Sequence, residues 1–325
     1  FYLRVEGDSM INAGICPDDK VLIHRQSTAE SGQIVACIVD GEAATLKRFR
    51  RQGQLVILQP ENSAYEPRIV PEQEFELGTA VIVGGDGTID EFLDGLARWE
   101  HLTLGCIPTG SGNDFVRGLS LERDPAKALD IILSPSHICH LKVGIVQAEN
   151  HSHKFIISSG IGFDADVCNG AYHSGMKQFL NFFHIGKLVY LTTAFRLLVS
   201  MKLYPMKITL DTGEVFSFDN AFFAAVMNLP YEGGGFWFAP ALRPEEENFH
   251  ICVAEQMNRR RILKILPLAF SGNHVGKKGV HILPCTRAVI QTSQPLCVHT
   301  DGEILGFFDE ISIEAAKNRL NVITG

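Results

Sequence analysis

The sequence lacks a long uncharged apolar run, an excess of basic residues and any low-complexity segment. Its longest apolar stretch, IGKLVYLTTAFRLLVSM at 185–201, contains Lys187 and Arg196, so it predicts an amphipathic helix rather than a membrane span. The net charge of -8 gives no support for a nucleic-acid-binding face. These absences argue against a helical membrane protein and against nucleic acid as a partner.

Paired cysteines are also absent. The eight cysteines lie at irregular spacings without a C-x-x-C pair, mostly in apolar runs such as IVACIV and HICVA. Such cysteines are typical of buried reduced thiols, so we expect a cytoplasmic protein without a disulfide framework or zinc site. No signal peptide is visible, and because Phe1 is not a natural start, we expect the true N-terminus to precede it.

What the sequence does contain is typical of globular proteins. Over 325 residues, 46% are hydrophobic and 20% charged, which is enough for a sizeable core and more than one domain. Up to about residue 78, short β-branched runs alternate with turn signals and predict an all-β module. Beyond it, strand and helix patterns alternate and predict a parallel α/β sheet. From about residue 137 strands dominate again, with helices expected at about 175–201 and 258–272.

The stretch VEGDSM places Ser9 in a turn after a short strand, and EAATLKRF places Lys47 in an apolar strand. A serine nucleophile needs a base, and lysine can serve once burial lowers its pKa toward neutrality. From these residues alone, a turn serine and a surface lysine remain the simpler interpretation.

Two glycine-rich turns follow consecutive predicted strands. The first, in VIVGGDGTIDEF, contributes Gly84, Gly85, Asp86, Gly87 and Thr88. The second, in PTGSGNDFVRG, contributes Gly110, Gly112, Asn113 and Asp114, of which the last two are expected to cap a helix. Glycines let a backbone approach a phosphate, and turns after parallel strands meet at one sheet edge. We therefore expect one phosphate-binding cleft, in which Asp86 caps its helix or reaches a magnesium ion or the nucleotide.

A third motif, VHTDGEILG, places Asp301 in a glycine turn after an apolar strand. A hydroxyl that attacks a γ-phosphate needs a carboxylate to orient it and accept its proton. Asp301 fits this role, with Glu303 near the nucleotide or metal. An ordinary D-G hairpin turn is the alternative.

Residues 1–77 resemble the catalytic domain of LexA-type repressors, which are self-cleaving serine peptidases. The matching segments are RVEGDSMINAGICPDDKVLIHR, GQIVACIVDGEAATLKRF and LQPENSAYEPRIV. The resemblance implies a β-rich fold with Ser9 as nucleophile and Lys47 as general base. The family's DNA-binding helix-turn-helix and cleavage loop do not precede this module here, so no nucleic-acid contact is expected from these residues.

Residues 79–325 resemble the bacterial diacylglycerol kinase family of lipid kinases. Six pieces match in family order: GGDGT, TGSGNDFVR, SSGIGFDADV, NLPYEGGGFWFAP, LPLAFSGNH and HTDGE. The resemblance implies an ATP and Mg2+ site between an α/β domain and a β-sandwich domain, with a lipid alcohol such as diacylglycerol as acceptor. It assigns the nucleotide to the two glycine turns and the general base to Asp301.

Some residues depart from that family. The first strands of its nucleotide domain are missing. His140 stands where aspartate is usual, and PEEENFHICV places Glu246, Glu247 and His250 at positions that support magnesium in the family. The metal ligands are therefore not identified from the sequence.

The predicted organisation is multidomain. It comprises a LexA-like peptidase domain at 1–78, a partial α/β nucleotide-binding domain at 79–135 that residues 310–325 rejoin, and a β-sandwich lipid domain at 136–310. The predicted function is transfer of the ATP γ-phosphate to a lipid hydroxyl by a cytoplasmic enzyme in peripheral contact with a membrane. The sequence does not decide between a monomer and a homodimer. The alternative is a self-cleaving repressor-type peptidase domain with a non-functional kinase. A natural fusion, an engineered fusion and an assembly chimera all fit this pattern.

Overall fold

The computed structural model describes residues 2–23, 29, 31–37, 45–52, 55–71, 79–96, 99, 102–110, 113–173, 198 and 201–325. They divide into two compact units, one formed by Phe1–Ala80 with Gly95–Thr103 and the other by Val81–Asp94 with Leu104–Gly325. Gly112 and almost all of the helix predicted at about 175–201 lie outside the described residues.

The described residues of the first unit form short strands and one 3-10 helix at Ile11–Ala13, which confirms the prediction of a β-rich module for this part of the chain. The strands are β1 (Tyr2–Arg4), β2 (Lys20–Leu22), β3 (Ile34–Cys37), β4 (Thr45–Gln52), β5 (Leu55–Gln59) and β6 (Arg68–Pro71). β1 pairs with β2, and β3-β4-β5-β6 form an antiparallel sheet in chain order. Burial alternates along β5 as a strand requires, and its Val56 and Leu58 join Phe49 in a small buried core.

The second unit contains a four-stranded sheet. Its strands are β7 (Ala80–Gly84), β8 (Thr103–Pro108), β9 (Ile138–Leu141) and β19 (Leu320–Ile323), in the order β7-β8-β19-β9. Between them along the chain lie α1 (Asp86–Asp94), α2 (Asp114–Gly118) and α3 (Pro125–Leu133). The last strand of the chain therefore lies inside the sheet whose first strands carry the glycine turns.

Local sequence sets the ends of these helices. In α3 the Asp124 carboxylate accepts hydrogen bonds from the backbone N–H groups of Ala126 and Lys127, and Pro125 occupies the first turn. The stretch TIDEFLDGLARW predicts a longer helix with apolar residues at 89, 92, 93 and 96, but α1 ends at Asp94. Gly95 follows that residue and favours a helix end. Ile89 and Leu93 of α1 are buried, and Leu96 is buried beyond the end of the helix.

The largest element is a nine-stranded sheet that forms the sandwich domain. Its strands are β10 (Gly144–Ala148), β11 (His151–Phe155), β12 (Ser158–Gly162), β13 (Tyr204–Leu210), β14 (Val215–Met227), β15 (Phe249–Glu255), β16 (Val280–Cys285), β17 (Arg287–Thr300) and β18 (Glu303–Ala315). The order is β11-β10-β18-β17-β12-β14-β15-β16, and β13 pairs with both β14 and β17. Phe155, Ile208, Val226 and Ile251 are among its fully buried core residues.

Two longer helices accompany this sheet, α4 (Phe163–His173) and α5 (Arg259–Phe270). The second confirms the helix predicted at about 258–272, and the Asn258 side chain caps it by accepting from the backbone N–H of Arg261. Within the described ranges, no helix combines the length and apolar character that crossing a membrane requires.

Candidate active sites

The two glycine turns lie directly against each other. The backbone N–H of Thr109 donates to the Gly84 carbonyl oxygen at 2.9 Å. A Cβ on Gly85 would stand 2.9 Å from the Gly110 Cα, and a Cβ on Gly110 would stand 2.5 Å from the Gly85 Cα. Since real Cβ atoms do not approach backbone so closely, this contact requires glycine on both sides. The second turn's Gly112 lies outside the described residues.

Asp86, the first residue of α1, holds the second turn. Its carboxylate accepts from the backbone N–H groups of Asp114 at 2.9 Å and Phe115 at 3.1 Å, so it caps α2 from another part of the chain. Asn113 occupies the N-cap position of α2 as expected, but its side chain does not cap the helix. Asn113 adopts a left-handed backbone (φ 52°) and makes no side-chain cap; its Nδ2 donates back to the Gly110 carbonyl at 2.7 Å. Asp86 already meets the start of this short helix.

Asp114 connects the glycine turns to residues 233–235, which we call the GGG segment. It is the first residue of α2 instead of its cap, and its buried Oδ2 accepts from the backbone N–H of Gly234 at 2.6 Å. Gly235 has φ 121°, and a Cβ there would lie 1.8 Å from Arg117 Nη1. Thr88, inside α1, instead packs its side chain where a Gly84 Cβ would stand.

Asp301 lies in the turn between β17 and β18 with a left-handed backbone (φ 49°). Its carboxylate accepts from the backbone N–H groups of Ile156, Ile157 and Ser158 at 2.7, 2.8 and 2.9 Å. Burial, and then the charge of Asp90, raise its pKa to about 7, while the three N–H groups act in the opposite direction. A fixed carboxylate that titrates near neutrality suits a general base.

The Asp90 side chain, which sequence reasoning left out of the site, belongs to the surroundings of Asp301. It is buried on α1, and burial raises its pKa to about 6. Glu303 is near enough for its charge to raise the pKa of Asp90 further. His153 on β11 extends this group: its Nε2 lies 3.2 Å from Asp94 Oδ2 and its Nδ1 lies 3.0 Å from Thr300 Oγ1. The Asp90 sequence signal was its position one helical turn after Asp86.

The segments around His140 and Glu247, where the resemblance places a structural magnesium site, do not suit a bound cation. Lys142 is buried, its Nζ lies 5.1 Å from the Phe249 ring centroid, and burial lowers its pKa to about 8. Arg319 forms an ion pair with Glu247 and donates to the His140 carbonyl. The chain's own cations therefore face the acidic segment, and we derive no step through a metal there.

The first unit brings Ser9 and Lys47 together. Lys47 Nζ lies 3.0 Å from Ser9 Oγ, and it also donates to Thr45 Oγ1 at 2.7 Å and the Leu46 carbonyl at 2.9 Å. Burial lowers the pKa of Lys47, which favours its neutral, proton-accepting form. The two residues are 38 positions apart, so the fold rather than local sequence makes this contact.

The PENS segment holds the serine turn in place, a role that the sequence did not reveal. Asn62 Nδ2 donates to the Asp8 carbonyl at 3.0 Å, and the Tyr65 hydroxyl contacts the Asp8 carboxylate. The backbone N–H of Asn12 donates to the Glu61 carbonyl at 2.8 Å. Contacts from residues 61–65 therefore hold the turn that carries Ser9.

Three family models match this chain. The model for the YegS C-terminal NAD kinase beta sandwich-like domain matches residues 158–324, and that for the diacylglycerol kinase catalytic domain matches 42–144. The protein named "Putative lipid kinase YtlR" of Bacillus subtilis (strain 168) is 30% identical over 237 residues, covering 72% of this chain and 76% of that protein. The chain belongs to the diacylglycerol kinase and YegS family of lipid kinases.

This lipid kinase-like chain also carries a LexA-like domain. The model for Peptidase S24-like proteins matches residues 1–82. The LexA repressor of Clostridioides difficile (strain 630) is 48% identical over 77 residues, which cover 24% of this chain and 36% of that repressor. The chain thus spans about a third of the length of this repressor. The S24 and diacylglycerol kinase matches overlap over residues 42–82.

Solved structures agree with the kinase assignment. A structure described as a putative diacylglycerol kinase from Bacillus anthracis str. Sterne has a TM-score of 0.60 at 27% identity, covering 76% of each chain. A second structure so described from the same organism has a TM-score of 0.57 at 25% identity, covering 76% of this chain and 78% of its own. These likenesses confirm the predicted multidomain fold for the kinase part.

Proposed function

We propose that this lipid kinase-like protein transfers the γ-phosphate of ATP to the hydroxyl of a lipid alcohol, with diacylglycerol as the first candidate. The observation that carries the proposal is the Asp301 carboxylate, fixed by three backbone N–H groups and with its pKa raised to about 7. The contacting glycine turns of the same unit are the proposed nucleotide loops. Family membership supports nucleotide use.

In this mechanism Asp301 orients the lipid hydroxyl and accepts its proton. The lipid oxygen forms a bond to the γ-phosphorus, the bond from that phosphorus to the β,γ-bridging oxygen breaks, and ADP leaves. Mg2+ that arrives with ATP would neutralise charge on the transferred phosphoryl group. The glycine turns would bind the phosphates through backbone N–H groups, and Asp86 keeps the second turn in position.

The test is transfer of labelled γ-phosphate from ATP to diacylglycerol in mixed micelles. Replacing Asp301 by Asn keeps the size and the oxygen that accepts from Ile157 and Ser158, but it turns an NH2 group toward the Ile156 N–H and removes the base, so transfer should fall by about 100-fold or more. Asp309→Asn, an exposed aspartate on β18, is the matched control and should retain transfer. Equal activity of Asp301→Asn and wild type would contradict the assignment.

Peripheral contact with an anionic membrane is part of the proposal. Residues 256–279 contain six lysines and arginines and no acidic residue, in a chain of net charge -8. On α5, Arg260 and Lys264 are exposed beside Leu263 and Phe270, which are 51% and 48% exposed. A face that combines cations with exposed apolar side chains suits the surface of an anionic bilayer.

A second candidate function is peptide cleavage by the first unit, and the Ser9–Lys47 distance of 3.0 Å favours it. Lys47 Nζ would accept the Ser9 proton as Ser9 Oγ attacks a peptide carbonyl. Lys47 Nζ would pass that proton to the leaving nitrogen as the C–N bond breaks, and water would then release the acyl group from Ser9. Incubation at alkaline pH should produce fragments that are absent from Ser9→Ala and Lys47→Ala. Undiminished cleavage in Lys47→Ala, or no fragment at any pH, would count against this activity.

A further inference from the structure

A buried histidine stands two residues before the proposed base. His299 is the next-to-last residue of β17, and its side chain is fully buried. Its Nε2 lies 2.9 Å from Asp164 Oδ2 and 3.1 Å from Glu232 Oε1. Its Nδ1 lies 3.2 Å from the backbone N–H of Gly302, the residue that follows Asp301 in the turn.

These contacts favour one tautomer of the neutral His299 ring. The Gly302 N–H can donate to Nδ1 only if that nitrogen carries a lone pair. The proton of a neutral ring is then on Nε2, where the Asp164 and Glu232 carboxylates accept it. An Nε2 that carries a proton has no lone pair for a cation, although the three ligand-type atoms lie within 4.8 Å of one another. The group is therefore a hydrogen-bonded triad rather than a metal site.

The triad also reaches the proposed nucleotide loops. Glu232 immediately precedes the GGG segment, and Gly234 in that segment donates its N–H to Asp114 Oδ2 at 2.6 Å. The N–H of Asp114 in turn donates to Asp86 in the first glycine turn. A continuous series of contacts thus runs from the first glycine turn, through Glu232 and His299, to the turn that carries Asp301.

The surrounding strands leave room for this group. A Cβ on Gly160 of β12 would lie 2.2 Å from Asp164 Oδ2 and 2.5 Å from His299 Nε2. The Ser159 hydroxyl donates to the His299 carbonyl at 2.8 Å and fixes the backbone of the same residue. Burying the Glu232 carboxylate and the imidazole, with Asp164 partly buried beside them, is costly, and apolar side chains would stabilise a sheet as well or better. The arrangement is better suited to orienting the turn than to stabilising the sheet.

We propose that His299, oriented by Asp164 and Glu232, is a positioning residue that holds the Gly302 amide and thereby places the Asp301 carboxylate for phosphoryl transfer. The inference rests on the proposed kinase function, because it needs Asp301 to act as the base. Because the His299 side chain is fully buried, the proposal gives it no direct contact with the lipid or ATP. Its loss should therefore affect turnover and leave nucleotide binding intact.

The test compares His299→Leu with His299→Asn in the micelle assay. Leucine removes both ring contacts, so kcat should fall by about 10- to 100-fold with KM for ATP unchanged, because the base is displaced. Asparagine offers an oxygen near the Nδ1 position that can accept from Gly302, so it should recover part of the loss. His281→Asn is the matched control: it breaks another strand histidine–carboxylate contact, to Glu255 at 2.8 Å, outside the Asp301 turn.

The outcomes separate the two proposals. Loss of transfer in Asp301→Asn together with wild-type kcat in folded His299→Leu would overturn the positioning role while leaving the base in place. Equal losses in His299→Leu, His299→Asn and His281→Asn, each matched by the same fall in melting temperature, would also overturn it, because they would indicate a structural effect alone. Retained transfer in Asp301→Asn would overturn the proposed function itself.

Discussion

Each unit carries a proposed base, a lysine in the first and an aspartate in the second. Burial shifts the pKa of both toward the neutral pH range. In the first unit, burial lowers the pKa of Lys47; in the second, burial raises the pKa of Asp301 to about 7. The cause is the same, because removal from water disfavours the charged form of either group. The sign differs because a lysine loses its charge on deprotonation and an aspartate gains one.

The two bases differ more in what holds them. Asp301 receives three backbone N–H groups from a nine-stranded sheet with a large core. Lys47 lies in a four-stranded sheet whose buried core is Phe49, Val56 and Leu58. A proton acceptor on a small module depends on a few side chains, whereas one on a large sheet is fixed by the backbone itself.

The largest expected effect is a double dissociation between the two sites. Asp301→Asn should lower phosphate transfer by about 10²–10⁴-fold and leave peptide cleavage unchanged, since only the kinase base is lost. Lys47→Ala should abolish cleavage and leave transfer unchanged. Both variants are to be measured in both assays, with exposed Lys20→Ala as the lysine control. A variant that lowered both activities would refute the independence of the two sites.

Core truncation should distinguish the units almost as strongly. Phe49→Ala and Phe155→Ala each remove a buried ring and should cost about 3–5 kcal/mol of unfolding free energy. Phe49 is one of the three buried residues of the first unit's small core. Phe49→Ala should therefore make residues 1–80 sensitive to protease at room temperature. Phe155→Ala should lower the melting temperature of the second unit without local digestion. Exposed Leu55→Ala serves as control, and equal digestion in all three variants would contradict the comparison.

The pH dependence of the two activities should differ. Asp301 must be ionised to accept a proton, so kcat/KM for transfer should rise about tenfold per pH unit up to about 7 and level off above it. Lys47 must be neutral, so cleavage should keep rising into the alkaline range and level off below the ordinary lysine pKa of about 10.4. Rate profiles in matched buffers check both. A transfer rate that still rose between pH 8 and pH 10, about where Asp301 is fully ionised, would contradict the assigned base.

The smallest expected effect concerns the basic face of α5. Arg260→Gln and Lys264→Gln should each weaken binding to vesicles containing phosphatidylserine by about 1 kcal/mol, and barely change binding to phosphatidylcholine vesicles. Both side chains are exposed, so the fold should persist. Co-sedimentation without ATP measures binding apart from turnover. Lys20→Gln on the first unit is the control, and an equal loss there would point to net charge rather than this face.

Much of the fold followed from local sequence. The β-branched runs before residue 78, the strand–glycine–helix pattern of VIVGGDGT and the helix at Arg259–Phe270 all rest on short-range preferences, and the structure has them. The end of α1 was missed because an apolar residue at position 96 outweighed Gly95 in the pattern. The cap of α2 was missed because Asp86 reaches it from 28 residues away.

The sequence likewise predicted only part of each candidate site. Ser9, Lys47, the glycine turns and Asp301 were all found from residue type and spacing or from resemblance. Asp90 and the triad of Asp164, Glu232 and His299 were not. Asp164, Glu232 and His299 each lie in one of the pieces that match the kinase family, but these pieces are far apart in the sequence, and nothing in any one of them shows that the three side chains meet.

The sequence by itself determined which residue types stand at the turns: glycines where backbones must touch, a serine and a lysine in a β-rich module, and an aspartate after an apolar strand. Only the tertiary structure decided which atoms meet. Sheet register brings Ile156–Ser158 to a carboxylate about 145 positions later, and it buries His299 between two acids. Burial then sets the pKa values that make Lys47 and Asp301 candidate bases, since desolvation depends on what the folded chain packs around a group and not on its neighbours in sequence.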